Sequence, residues 1–317
     1  MDLNKAILYG QLVNAAYDVL PSDLNNRAGT TVSAGLGPNK TTFEVITSIY
    51  ANDLATDATK AGTTELVSIG LLLWQADTGE AVIAIRGTEG LLEWFQDARF
   101  DMKECFFLPT AGETEDGFTD MYNSMAVSTL AGSPSVTKSL ATILGNKRVN
   151  SLTVCGHSLG GALATLQALD AAANSQFKNP TVYTYASPLT GNAQFASTYH
   201  QMVPDTFRIA NRIDIVPKLP PLPVYQHVLG LYRLTPFTIF PPKILVQPNP
   251  VCEHILTSYL YLLSLLAGGV PLPLKQGCDP ATSGGKFWQH VKMEFRSVDD
   301  LKKDFRSGPR MPLGGNS

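Results

Sequence analysis

Gly156-His157-Ser158-Leu159-Gly160, in a chain of 317 residues, has the spacing G-x-S-x-G. A serine between two glycines can be raised on a turn too tight for larger neighbours, so that its hydroxyl stands clear of the backbone. Such a hydroxyl is a weak nucleophile until a base takes its proton, and the base needs a carboxylate to orient it. The chemistry implied is acyl transfer through a serine, a histidine and an acid. The flanks suit that turn. Residues 151–155 form a short apolar run fit for a buried strand, and 159–173 are helix formers without interruption. Gly161, Ala162 and Ala164 keep the helix slim enough to lie close on a sheet. The serine then stands at a helix N-terminus, where unpaired N–H groups and the dipole favour developing negative charge.

In a strand–turn–helix of this kind the partners follow in the order acid, then histidine. Of five histidines, His157 lies inside the turn and His200 precedes any suitable acid. Asp214 closes the apolar run 207–213 and stands just before Pro217, which predicts a place at the carboxyl edge of the sheet. Asp205, ahead of that run, is the weaker rival. His227, His254 and His290 remain as bases. His254 is favoured because it opens the helical stretch 255–266 directly after a long loop, which puts an imidazole at the rim of the site. His227 reads as a satisfied polar residue in a short strand, and His290 as a late residue that closes the domain.

The elements that must hold these residues follow from periodicity. Apolar residues at helical spacing mark a helix over 3–20, ending at Pro21, and Gly and Asn mark a loop over 25–39. Extended segments are predicted at 43–50 and 65–74, then a turn at 77–79 into the apolar strand 81–85. Helix covers 117–145 with a break at 132–134, and strands recur at 181–186 and 207–213. This alternation predicts an α/β fold, a mostly parallel central sheet with helices on both faces. Residues 217–250 hold nine prolines, which exclude regular helix or central strand and leave a packed loop or the wall of an apolar pocket. One catalytic domain is expected over 1–305, with a disordered tail at 306–317. Within 89–97, Leu91, Leu92, Trp94 and Phe95 share one arc of a helix, and Glu89, Glu93, Gln96 and Asp97 the other. A short amphipathic helix there is expected to act as a lid over Ser158.

Composition removes several classes. The net charge is −3 with both signs interspersed, so no nucleic-acid partner is expected. The most apolar stretch, 255–270, falls short of the ~20 residues that span a bilayer and reads as a buried helix, not a transmembrane segment. The N-terminal residues lack the pattern of a secretory leader, which leaves the cytoplasm, or export of a longer precursor. Four cysteines, at 105, 155, 252 and 278, are too few for a disulfide scaffold. Cys155 reads as a buried thiol, while Cys252 and Cys278 could pair if the protein is exported, and the sequence leaves that pairing open. No HExxH, no cysteine pair at ligand spacing and no phosphate loop occurs, so neither metal nor cofactor is expected.

At these residues the chain resembles the class 3, fungal-type lipase family of the α/β-hydrolase superfamily. The resemblance runs through Ile85-Arg86-Gly87-Thr88, Trp94 to Asp97, Asp116-Gly117-Phe118, the elbow 156–164, Ala186-Ser187-Pro188, Asp214-x-Val216-Pro217, and His254 with Tyr259-Leu260. Several motifs in one order are more specific than any alone. The resemblance implies Ser158, Asp214 and His254 as the triad. It implies an oxyanion hole from the N–H of Leu159 with the N–H and hydroxyl of Thr88, supported by Asp97, and a lid carrying Leu91, Leu92, Trp94 and Phe95. The implied function is a lipase or carboxylesterase acting on acylglycerol or other esters at a lipid–water interface. Phospholipase A1 or feruloyl-type esterase action, a catalytically silent interaction module, and an acyltransferase or peptidase are the alternatives. Ala186 and Leu189 stand where the family usually has Gly and Arg, and Asp116 where His is common.

Overall fold

The computed structural model describes residues 1–38, 40–53, 65–88, 100–220, 223–239 and 242–279. Eight strands form one sheet in the order β1-β2-β3-β4-β7-β8-β9-β10. Its first half is an antiparallel meander of β1 (Thr31–Ala34), β2 (Thr41–Asn52), β3 (Leu66–Gln75) and β4 (Glu80–Ile85). From β4 the pairing turns parallel, through β7 (Ser151–His157), β8 (Thr181–Tyr185), β9 (Thr206–Asn211) and β10 (Leu231–Leu234). Two short hairpins lie outside it, β5 (Met102–Glu104) with β6 (Glu113–Glu115), and β11 (Phe237–Ile239) with β12 (Pro242–Ile244).

The apolar run in β4 is explained by burial on both faces. Ala81, Ile83 and Ile85 enter one core, against α2 (Asp116–Ser124), α3 (Val136–Leu144), α4 (Leu159–Asn174) and α5 (Ala193–Met202). Val82 and Ala84 enter the other, against α1 (Leu3–Tyr17) and a late helix, α7 (Leu256–Leu266). Each Ile or Leu removed from water contributes roughly 1.5–3 kcal/mol, so the two cores hold the central strands firmly. Parallel strands joined by helical crossovers also send every strand's carboxyl end to one side, where ligands of open α/β sheets bind. Thr88, Ser158 and Asp214 each lie within three residues of such an end.

Three expectations need correction. The predicted loop 25–39 contains the edge strand β1, whose short length and alternating exposure give a weak pattern. The proline-rich stretch is more regular than expected: Val216–Lys218 is a 3-10 turn, β11 and β12 pair, and β10 joins β9 as the sheet's last strand. Proline is excluded from central strands, but Leu231–Leu234 is a proline-free interval at an edge. Finally, His254 does not open the long helix. It ends a separate helix of five residues, α6 (Pro250–His254), and extended Ile255 (ψ 143°) separates it from α7. The Trp-x-x-Asp and lid residues, 89–97, and the predicted tail 306–317 lie outside the described residues, as does His290.

Glu115 caps α2, its carboxylate accepting the Phe118 N–H at 2.7 Å. Burial pushes its pKa up to about 7, against the opposing pull of the Phe118 and Gly117 amides and Lys103. A raised folded pKa means that the native state keeps a proton which the unfolded chain loses above its ordinary pKa. The stabilisation is therefore complete below about 4.5 and lost as pH rises through about 7. Glu115→Gln keeps an acceptor for Phe118 and removes the ionisation. Urea unfolding at pH 5 and pH 8 should show the wild type losing up to about 3 kcal/mol relative to the variant across that interval. Parallel losses in both proteins would contradict the assignment.

Candidate active site

Strand β7 delivers Ser158 onto a turn with φ 60°, in the left-handed region that side chains rarely occupy. The glycines make this turn possible. A Cβ on Gly156 would lie 2.0 Å from the Gly160 carbonyl oxygen, and one on Gly160 would lie 2.4 Å from that of Ile85. The Ser158 N–H is held by the Tyr185 carbonyl at 2.8 Å, which anchors the turn to β8. Helix α4 then starts at Leu159, whose N–H lies before the helical ladder begins. Ala186, at the family's usual glycine position, also has a positive φ of 52°. It carries backbone strain that glycine would avoid.

The structure brings Ser158, His254 and Asp214 together. Ser158 Oγ is 2.7 Å from His254 Nε2, and His254 Nδ1 is 2.9 Å from Asp214 Oδ2. A carboxylate only accepts, so Nδ1 carries the ring proton and Nε2 is left to accept from the serine. Two further groups fix the carboxylate: Tyr259 donates its hydroxyl to Oδ2 at 2.7 Å, and the Val216 N–H reaches Oδ1 at 3.0 Å. Burial, followed by the charge of Asp214, raises the Tyr259 phenol far above its usual range, so it stays a donor. Thr88, half-buried, shares one cleft with His254.

His157, set aside as a base because it sits inside the turn, has a different part. Its Nε2 is 2.8 Å from the backbone carbonyl of His254, which only accepts, so Nε2 must donate. Burial and then the neighbouring His254 hold its pKa well below the usual range. In the neutral ring Nδ1 accepts, and the Tyr17 hydroxyl lies 2.7 Å from it. That hydroxyl oxygen in turn accepts the Gly87 N–H at 2.8 Å. One chain of hydrogen bonds thus joins the end of β4, helix α1, the elbow and the His254 backbone. Sequence reasoning missed Tyr17, which lies 140 residues from its histidine.

His254 is positioned by a short, heavily tied segment. Asn249 caps α6 through the Cys252 N–H at 2.9 Å, and Pro250 presets the first helical residue. Asn211, at the end of β9, donates its side-chain amide to the Glu253 carbonyl at 2.8 Å. Cys252 is bonded to Cys278, while Cys105 and Cys155 are buried free thiols. The rejected bases and acids fall elsewhere. His227 faces the Pro217 carbonyl, its pKa pushed down to about 3 by burial and then by Arg208. Asp205 is exposed at the start of β9, the end of that strand away from Asp214. Asp97 and the four apolar lid positions lie outside the described residues. Among the described residues no three His, Cys, Asp or Glu side chains converge as a metal site.

Two stability measurements test these supports. Tyr17→Phe strands the Gly87 N–H and His157 Nδ1, and each unpaired buried group costs about 1–3 kcal/mol. A calorimetric scan should show a clear drop in Tm, and an unchanged Tm would remove the network. Replacing Cys252 and Cys278 together by serine opens a loop with a sequence separation of 26 residues. Chain entropy puts that cost at about 3 kcal/mol, to be read from urea midpoints against the oxidised wild type, with the reduced wild type expected to fall with the variant.

Residues 82–224 match the family model described as Lipase (class 3). Secreted mono- and diacylglycerol lipase 1 of Fusarium solani is 28% identical over 234 residues, 74% of this chain and 64% of that protein. This chain therefore spans just under two thirds of that relative. Phospholipase A1-II 6 of Oryza sativa subsp. japonica is 27% identical over 324 residues, 85% of this chain and 77% of that one. A solved mutant form of MDLA from Penicillium cyclopium aligns at 24% identity with a TM-score of 0.57, over 85% of this chain and 91% of its own. The nonglycosylated LIP2 lipase of Yarrowia lipolytica aligns at 24% identity and a TM-score of 0.53, over 71% and 77%. At such identities the solved structures speak for the fold alone, and that fold is the α/β-hydrolase. The family match begins within β4, crosses the strand ends that carry Thr88, Ser158 and Asp214, and stops short of His254. On these grounds the chain is similar to the class 3 lipase family over residues 82–224.

Proposed function

We propose that this chain is a serine ester hydrolase cleaving acylglycerol esters through an acyl-enzyme, with Ser158 as nucleophile, His254 as base and Asp214 as its orienting acid. The observation that carries this reading is the unbroken line of hydrogen bonds from Ser158 Oγ through both nitrogens of His254 to Asp214. His254 Nε2 takes the hydroxyl proton as Oγ attacks the ester carbonyl. The N–H groups of Leu159 and Thr88, with the Thr88 hydroxyl, receive the charge that develops on the carbonyl oxygen. Breakdown expels the alcohol, which takes the proton from His254. Water, activated by the same histidine, then releases the acid. Residues 1–305 serve as one catalytic unit in this reading. The amphipathic pattern of 89–97 supports a lid that opens at a lipid surface, and the secreted lipase among the relatives supports an acylglycerol substrate.

Tributyrin hydrolysis by the wild type and Ser158→Ala, followed through the solubility limit of the ester, tests the proposal. The variant should lose activity by a factor on the order of 10⁴ or more, and the wild-type rate should jump once an emulsion forms. Equal rates in both proteins would remove Ser158 as the nucleophile. A folded wild type that neither hydrolyses esters nor takes a fluorophosphonate label on Ser158 would favour a silent interaction module.

A further inference from the structure

Strand β9 carries Arg208 inside the protein, 6% exposed, and the sheet's last strand sets a second arginine beside it. Leu231 of β10 pairs with Arg208, and Arg233 with Ala210, so Arg208, Leu231 and Arg233 share one face of the sheet. The two arginines are diagonal neighbours on adjacent strands. Tyr232 and Leu234 turn to the opposite face and its apolar core, whereas Leu231 and Arg233 are exposed. Burial and then the charge of Arg233 bring the Arg208 pKa down to about 10. The Arg208 charge acts in turn on His227, whose pKa is held low by burial and then by this cation. Three basic groups meet at one place.

A buried cation without a counter-charge is costly. Arg208 Nε donates to the Val228 carbonyl at 3.3 Å. Neither its two terminal nitrogens nor Arg233 has a hydrogen-bond or ion-pair partner among the described residues. From Thr206 to Cys252 the sequence holds one acid, Asp214, against Arg208, Arg212, Lys218, Arg233 and Lys243. Asp214 is already engaged by His254 and Tyr259. The undescribed positions inside that stretch, 221–222 and 240–241, are Pro, Leu, Phe and Pro. Arg208 is nonetheless firmly placed. The Gly230 carbonyl accepts its backbone N–H at 2.9 Å. Gly230, with a φ of 91°, comes so near β9 that a Cβ there would lie 1.9 Å from the Thr206 carbonyl oxygen. The segment that covers the arginine is thus fixed to its strand at a position that only glycine fits.

We propose that Arg208 and Arg233 form a binding site for a tetrahedral oxyanion, a phosphate group, on the face of the sheet's last strand. Guanidinium groups from two adjacent strands present forked N–H donors to one multiply charged anion, a geometry that suits phosphate. The anion relieves the repulsion between the arginines and gives the terminal nitrogens of Arg208 their acceptors. Arg208 supplies the fixed, buried half of the site and Arg233 the exposed half that the ligand meets first. Leu231, exposed beside both, offers contact to an apolar group that carries the phosphate. The site shares no residue with the triad and takes no part in the ester chemistry proposed above.

Calorimetric titration of the full chain with inorganic phosphate, at fixed ionic strength, tests the site in wild type, Arg233→Lys, Arg233→Ala and Arg233→Glu. Arg233 is exposed, so these variants spare the core, and Arg208 stays untouched in all of them. The alanine variant should bind about fivefold more weakly than wild type, the scale of one exposed ion pair. The lysine variant should fall between them, and charge reversal should abolish binding. Phosphate should also raise the Tm of the wild type and not that of Arg233→Glu. Absence of binding to the wild type, or equal affinities across the four proteins, would overturn the site. Acetate binding as tightly as phosphate would overturn the tetrahedral oxyanion in favour of a carboxylate. Octyl phosphate distinguishes the source of the group. Tighter binding than inorganic phosphate, lost in Leu231→Ser, assigns the phosphate to an apolar carrier, and equal binding assigns it to a free anion. None of these readings needs turnover, so a failure of the esterase reading would leave them unchanged.

Discussion

Helix α4 approaches the end of β4 so closely that only a hydrogen fits between them at Gly160, and the rest of the site depends on this contact. A methyl there would meet the carbonyl oxygens of Ile85 and Arg86 at 2.4 and 2.5 Å. With glycine, the first turn of α4 lies directly on the strand that runs into Gly87 and Thr88. Two segments separated by some 70 residues thereby meet beside Ser158, where a Cβ on Gly87 would lie 2.9 Å from the Ser158 Cβ. The positive φ of Ser158 belongs to the same geometry, because the chain must reverse between the last strand residue and a helix already in contact with the sheet. A strained residue of this kind costs on the order of 1–3 kcal/mol. The two apolar cores and the Ser158 N–H bond to Tyr185 oppose its relaxation.

A second constraint is the satisfaction of polar groups in a region with almost no water contact. His157, Ser158 and Asp214 are each at most 3% exposed. Leaving any of them unpaired would cost more than a surface hydrogen bond returns. The arrangement meets this by giving each group partners from different parts of the chain: Tyr17 from α1, Tyr259 from α7, Val216 from the turn after β9. Helices α1 and α7 also pack together on one face of the sheet, so the phenols that support the site are delivered by the core that stabilises the fold. Geometry of the site and stability of that face are consequently not separable properties.

What could be read from the sequence divides along this line. The strands 81–85 and 151–155, the elbow and the helix after it were legible because local pattern and tertiary role coincide there. The place of Asp214 at the carboxyl edge of the sheet was legible for the same reason, since it closes the last long apolar run. The structure brings His254 within 2.7 Å of Ser158, but on a helix other than the one that periodicity predicts. One extended residue, Ile255, splits what periodicity presents as a single helix start. Strand β1 and β10 were hidden because edge strands need little hydrophobic pattern, and prolines around β10 masked its short interval. Tyr17 and the hydrogen bonds of His157 left no local trace. Their meaning is a contact between residues 140 apart, and a tyrosine on a buried helix face looks like core until its partner is known.

The short helix α6 explains why His254 needs so many ties. Five residues make barely more than one turn, and an isolated helix of that length has no stability of its own. Its cap, its proline, the Asn211 amide on the Glu253 carbonyl and the Cys252 bond supply from outside what length cannot. Ending the helix at His254 also leaves the histidine carbonyl outside the helical ladder, where it accepts from His157 Nε2. A continuous helix through 254–258 would direct that carbonyl to an amide of its own helix in place of the elbow. Breaking the helix at Ile255 therefore couples the backbone of His254 to the turn that carries Ser158. Side chain and main chain of His254 are held by adjacent residues, Ser158 and His157, and the imidazole cannot shift without disturbing both.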